Sequence, residues 1–183
     1  MRLEYLTLSW NVVGVCVLAI AAVEARSVAL AGFGLDSAVE IGASTIVLRE
    51  LIGIGQDLQR GRLRLIGGAF IALSIYIAAQ SAFVLLEHDH AHHSALGIAW
   101  TALTAVVMFA LAAGKASTGR ALNNPVLTAE GRVTFIDGLL ATSVLTGLTL
   151  NAAFGAWWAD PVAAFVIVFY GIKEAHAIFS DNP

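Results

Sequence analysis

Asp36 and Glu40 stand four residues apart in Leu35-Asp36-Ser37-Ala38-Val39-Glu40-Ile41-Gly42-Ala43-Ser44, the middle of an apolar run from about Ser27 to Leu48. On a helix this spacing places both carboxylates on one face, one turn apart. An acid at the centre of a bilayer costs roughly 2.5 kcal/mol or more on insertion scales. Like charges one turn apart also repel unless a proton or a cation lies between them. The sharper reading is a cation or proton site inside a transporter; the plainer one is a protonated or hydrogen-bonded pair that only fixes helix packing.

A second acidic stretch is Glu130-Gly131-Arg132-Val133-Thr134-Phe135-Ile136-Asp137-Gly138. Glu130, Thr134 and Asp137 are spaced four and then three apart, so they share one helical face. Asp137 lies about eleven residues into its apolar segment, near mid-depth, and Glu40 reaches a similar depth from the opposite side. Three carboxylates, Asp36, Glu40 and Asp137, are therefore expected to converge with the Thr134 hydroxyl. Glu130 sits two turns nearer the cytoplasm, either gathering cations or pairing with Arg132 at the interface. Oxygen ligands of this kind suit hard or borderline divalent cations. A divalent ion neutralises most of a three-acid site and protons can replace it when it leaves. Metal and protons then compete for one site whose access alternates between sides. No Walker A motif is present, and no nucleophile–base pair or catalytic metal motif suggests an enzyme.

These residues need a membrane scaffold to position them. Of 183 residues, 58% are hydrophobic and 13% charged, whereas a soluble domain is nearer half apolar and a quarter charged. The mean hydropathy is +0.81. The expected fold class is all-α, a polytopic membrane protein with a six-helix transmembrane bundle. The net charge of −3 implies no nucleic-acid partner. Six segments near the length a bilayer needs run from about Tyr5 to Val23, Ser27 to Leu51, Leu65 to Leu86, Ser94 to Gly114, Val126 to Asn151 and Asp160 to Phe179. Glu24, Ala25 and Arg26 form a tight turn, and polar loops are expected over Gln56–Arg64 and Lys115–Asn124. The start, Met1-Arg2-Leu3-Glu4, sets an acid beside its one basic residue, and no small-residue cleavage site closes a short apolar core, so a cleaved signal peptide is not expected.

Basic residues set the orientation. With the N-terminus inside, Arg2, Arg49, Arg60, Arg62, Arg64, Lys115, Arg120, Arg132 and Lys173 fall on the cytoplasmic side and Arg26 alone falls outside. This positive-inside bias predicts that both termini are cytoplasmic, in a multi-pass protein of the cell inner (plasma) membrane. Trp157 and Trp158 then lie at the outer interface, where aromatic belts form.

Other polar residues carry weaker signals. His88, His90, His92 and His93, with Glu87 and Asp89, make an outer loop able to capture metal or simply a solvated turn. His176 reads as interfacial and Asp160 as a structural acid at its helix start. Asn11, Gln80 and Ser44 read as interhelical hydrogen-bond formers, with Asn11 and Ser44 placed to border a pathway. Cys16, the single cysteine, reads as a small core residue. Small residues, including Gly32, Gly34, Gly138, Ala141 and Gly147, suit close helix packing in lipid.

On these residues the chain resembles the cation diffusion facilitator (cation efflux) family of divalent-metal/proton antiporters. Ser27-Val28-Ala29-Leu30-Ala31 with Leu35-Asp36 through Ser44 is similar to the family's second helix, and Asp137 falls at its fifth-helix aspartate. Ala156-Trp157-Trp158-Ala159-Asp160-Pro161-Val162-Ala163-Ala164 is similar to the start of its sixth helix. The resemblance spans 1–183 as a single transmembrane domain, without the family's C-terminal cytoplasmic domain. It implies export of a divalent metal from the cytoplasm against protons, with Asp36, Glu40 and Asp137 as ligands and a homodimer formed through membrane helices. Two positions depart from the pattern. Val133 replaces the His or Asp that members commonly place four residues before the fifth-helix aspartate, so Thr134, Glu130 or water must supply a fourth ligand. Glu40 replaces the commoner Asp. The substrate is accordingly zinc, manganese, iron or cobalt, with zinc disfavoured by the lack of nitrogen and sulfur donors. The rival readings are a non-transporting metal-binding sensor or accessory membrane subunit, and a proton-driven carrier of an organic substrate.

Overall fold

The computed structural model describes residues 2–51, 59–87, 91–123 and 125–181; within these, the side chains of 2, 4, 43–44, 46–51, 59–66, 125–130 and 181 lie outside the description. The described chain is all-helical, in six helices: α1 (Arg2–Ala25), α2 (Val28–Leu51), α3 (Gln59–Glu87), α4 (Ala95–Ala121), α5 (Pro125–Phe154) and α6 (Ala159–Asp181). Among the described residues, α1, α3, α4, α5 and α6 each contain a stretch long and apolar enough to cross a membrane. The remaining helix, α2, carries the paired acids on 24 residues, a rise of about 36 Å.

Local chemistry fixes where the helices stop. Arg26 adopts a left-handed conformation (φ 50°) after α1, and the Ser27 N–H bonds back to the Ala22 carbonyl at 3.2 Å, a Schellman-type ending. Ser27 then caps α2, its hydroxyl accepting from the Leu30 N–H at 3.0 Å. Ser94 caps α4 in the same way, accepting from the Gly97 N–H at 2.9 Å. After α5 the left-handed residue is Gly155 (φ 65°), which bears no Cβ to resist it.

Two expected loops are partly helical. The basic run from Gln59 belongs to α3, and α4 continues seven residues past Gly114 to Ala121. Ala, Lys, Ser and Thr in that stretch do not break a helix. The Ser117 hydroxyl bonds to the Gly114 carbonyl at 3.0 Å, keeping its polar group inside the helix. The turn arrives only at Leu122 and at Asn123, which is left-handed (φ 48°).

The helices pack as three hairpin-like partnerships, α1 with α2, α4 with α5 and α3 with α6, with α2 touching α3, α5 and α6 as well. Leu18, Leu30, Ile77, Val144 and Ile167 form the centre of the shared core. Three connections meet at one end of the bundle. The His92 N–H donates to the Ala25 carbonyl at 2.7 Å, and the Asn151 side chain donates to the Ala91 carbonyl at 2.8 Å. The Ser27 hydroxyl there donates to Asp160 on α6.

The polarity is that of a membrane protein. Tyr5, Ile75, Phe83, Val106 and Phe169 point outward, while Asn11, Asp36, Lys115, Thr134, Asp137 and Asp160 are buried. Cys16 faces outward rather than into the core, because α1 turns its Asn11–Gly14–Leu18 face inward. Gln80 likewise sits on the exposed face of α3.

Small residues set the helix spacing at α5–α6. A Cβ on Gly147 would stand 2.9 Å from both the Ala159 carbonyl oxygen and the Ala163 Cβ. Backbone cannot retreat from that contact as a side chain can. Gly147→Val is expected to destabilise the protein by about 1–3 kcal/mol, the usual cost of overpacking, read as a lowered Tm of the purified protein. An unchanged Tm would refute the close approach.

Candidate functional site

The acids gather where α2, α5, α4 and α6 meet. Asp36 and Asp137 are each 6% exposed, and Glu40 is half-buried. Glu40 and Asp137 are hydrogen-bonded to each other across the α2–α5 contact. Two carboxyl groups meet in this way only through a shared proton or a bridging cation. Asp36, one turn from Glu40, lies within electrostatic range of both. The Asn11 amide of α1 donates to Glu40 Oε2 at 3.2 Å, so Asn11 does border the acidic cluster and helps to orient its central carboxyl.

The expected ligands are neighbours but do not form a closed cage. Among the described residues no three His, Cys, Asp or Glu side chains are arranged to hold one metal ion. The tight contact is the Glu40–Asp137 pair, with Asp36 acting on it from one turn away. Thr134 is buried on α5, one turn before Asp137, whereas Val133 is 45% exposed. At the level where the resemblance leaves Val133 without a donor, Thr134 is the residue turned inward. The side chains of Glu130 and Ser44 lie outside those described, as do residues His88, Asp89 and His90. His92 and His93 are exposed. His176 is exposed too, 3.5 Å from Ser180 Oγ.

Three charged groups take a larger part than sequence reasoning gave them. Lys115 is 1% exposed, and its charge acts on both Glu40 and Asp137. Glu174 of α6, half-buried, acts on Asp36 and Asp137. It stands seven residues after Ile167 and three after Gly171, both buried, so helical spacing alone could have placed it on the inner face. Asp160 is 1% exposed. Besides the Ser27 hydroxyl, it accepts from the backbone N–H groups of Val28 at 3.0 Å and Ala29 at 3.3 Å. A carboxylate on α6 thus completes the N-terminus of α2, where the helix dipole favours negative charge.

A stacked aromatic pair closes the α1–α4 side. The rings of Trp10 and Trp100 lie 4.9 Å apart at 9°, and the Trp10 indole N–H donates to Thr104 at 3.2 Å. Asn11, the next residue along α1, is the one that reaches Glu40.

The family model for the cation efflux transmembrane domain matches residues 64–182. That span includes Lys115, Thr134, Asp137, Asp160 and Glu174, and stops short of the Asp36–Glu40 stretch. No curated protein matches the chain.

Proposed function

This chain belongs to the cation efflux family, whose members are transporters of metal cations, and we propose that it exchanges a divalent transition metal for protons, exporting the metal from the cytoplasm. It does so as a multi-pass protein of the plasma membrane with both termini inside. The observation that carries this reading is the hydrogen-bonded Glu40–Asp137 pair joining α2 to α5, with Asp36 one turn away. A proton held between two carboxyl groups and a cation held by the same oxygens exclude one another. Metal binding at Asp36, Glu40 and Asp137 displaces the proton, and proton return displaces the metal.

Thr134 supplies a neutral oxygen beside Asp137, and Glu130 collects cations on the cytoplasmic side. An all-oxygen donor set suits manganese, iron or cobalt at least as well as zinc. The α2–α5 pair also provides a way to couple binding to access. Its two acids sit on different helices, so the groups that hold the ion also set how those helices stand to one another. A second copy of the chain, packed through membrane helices, completes the assembly.

The test is metal flux into proteoliposomes holding this protein alone, under an imposed pH gradient, with zinc, manganese, iron and cobalt in turn. Uptake that follows the gradient and moves protons in the opposite sense is the expected result. Binding without flux would make the chain a metal-binding accessory subunit or sensor instead, and neither binding nor flux of any of these ions would overturn the metal reading.

A further inference from the structure

We infer that Lys115 is a tethered counter-ion of the acidic cluster, tuning it to divalent rather than more highly charged cations; this rests on the metal-binding reading above. A lysine is among the residues least often fully buried unless paired, yet Lys115 is the bulkiest of the fully buried side chains described. Its position follows from the register of α4 on α5. A Cβ on Gly138 would stand 2.8 Å from the Phe109 ring, and one on Gly131 would stand 3.0 Å from the Ala116 nitrogen and 3.3 Å from the Lys115 Cβ. The two helices therefore run antiparallel, with Asp137 level with about Phe109 and Lys115 roughly 8 Å nearer the α4–α5 turn by helical rise. Helical side chains lean toward their own N-terminus. For α4 that direction leads along the bundle to Asp137, and the absence of a side chain on Gly131 leaves α5 close against the lysine stem.

Among the described residues, Lys115 acts on carboxyl groups of two other helices, Glu40 on α2 and Asp137 on α5. Asp36 adjoins Glu40, and the half-buried Glu174 approaches from α6. Once the metal has displaced the proton shared by Glu40 and Asp137, the three proposed ligands Asp36, Glu40 and Asp137 carry three formal negative charges; Lys115 reduces them to two, the number that a divalent ion neutralises. A buried positive charge repels an arriving cation in proportion to that cation's own charge. Lys115 thus lowers the affinity of the site for every metal, and lowers it most for trivalent ions. When the cation has gone, the ammonium acts together with the proton shared by Glu40 and Asp137 to hold the acids in place.

The experiment uses the full chain in lipid nanodiscs at mildly alkaline pH, where protons compete least. Binding of manganese(II) and of terbium(III) is compared in wild type, Lys115→Met, Lys115→Gln and Lys115→Arg. Manganese(II) is expected to bind at least about tenfold more tightly to the Met and Gln variants, and terbium(III) to gain about thirtyfold, because the lost repulsion scales with ionic charge. Lys115→Arg, which keeps the charge, stays close to wild type. Equal gains for the two ions, or no gain, would overturn the inference while leaving the metal site in place. A metal-free measurement separates it from failure of that site. Lys115→Met should lower Tm markedly in wild type and much less in the Asp137→Asn background. Additive effects of the two substitutions on Tm would refute the pairing whether or not any metal binds.

Discussion

Asp137→Asn is expected to abolish gradient-driven metal flux, weakening metal binding by roughly 100-fold or more. Removing one partner of a buried, hydrogen-bonded charge arrangement costs about 2–5 kcal/mol, and each 1.4 kcal/mol is tenfold in affinity. Asn keeps the volume of the side chain and can still hydrogen-bond Glu40, so the helices stay together. What it loses is the charge that a cation needs and an oxygen able to share a proton with Glu40. The same substitution at Asp36 is expected to weaken binding less, since Asp36 stands one turn outside the Glu40–Asp137 contact. Thr142→Val serves as the control. Thr142 lies on the exposed side of α5 and its hydroxyl bonds only to the Gly138 carbonyl of its own helix, at 2.7 Å. Flux should survive there. Flux retained by Asp137→Asn, measured in proteoliposomes with the ion that wild type carries, would remove the α2–α5 pair from the mechanism.

The helices and their acids were legible because both follow short-range rules. Apolar length marks the segments, and a spacing of four puts Asp36 beside Glu40 wherever α2 is placed. What the sequence hid was which polar residues are turned inward by neighbours distant in the chain. Lys115 follows a glycine at the end of an apolar run and counts naturally as one of the basic residues of a cytoplasmic loop. Only the continuation of α4 to Ala121 and its close approach to Gly131 bury it. Glu174 stands beside Lys173, an ordinary interfacial pairing, although its spacing from Ile167 and Gly171 belonged to the buried face. Cys16 erred the other way. An apolar context says nothing about direction when lipid is as apolar as the core, so the exposed face of α1 and its buried face read alike.

Asp160 shows how such a hidden contact bears on the site itself. Its carboxylate accepts from the Ser27 hydroxyl and from the first two N–H groups of α2, all buried. Asp160→Ala would leave those donors without a partner, at about 1–3 kcal/mol for each buried group left unsatisfied. A loss of at least about 3 kcal/mol is expected, seen as a large fall in Tm or as failure of the protein to accumulate. Asp160→Asn should fall between that variant and wild type. Its amide oxygen can still accept from the backbone, and its NH₂ can donate to Ser27 Oγ, but the charge that complements the helix dipole is gone. The consequence reaches beyond stability. Asp36 lies nine residues after Ser27, roughly 13 Å along α2, so the anchor at Asp160 sets the depth at which the acids meet Asp137. Asp160→Asn is therefore expected to weaken metal binding although Asp160 touches no ligand. Its loss of binding should shrink when Asp137 is already Asn, since both substitutions act on the same α2–α5 contact. Metal affinity measured across that double-mutant cycle checks the coupling. Independent effects of the two residues would mean that α2 finds its depth without help from α6.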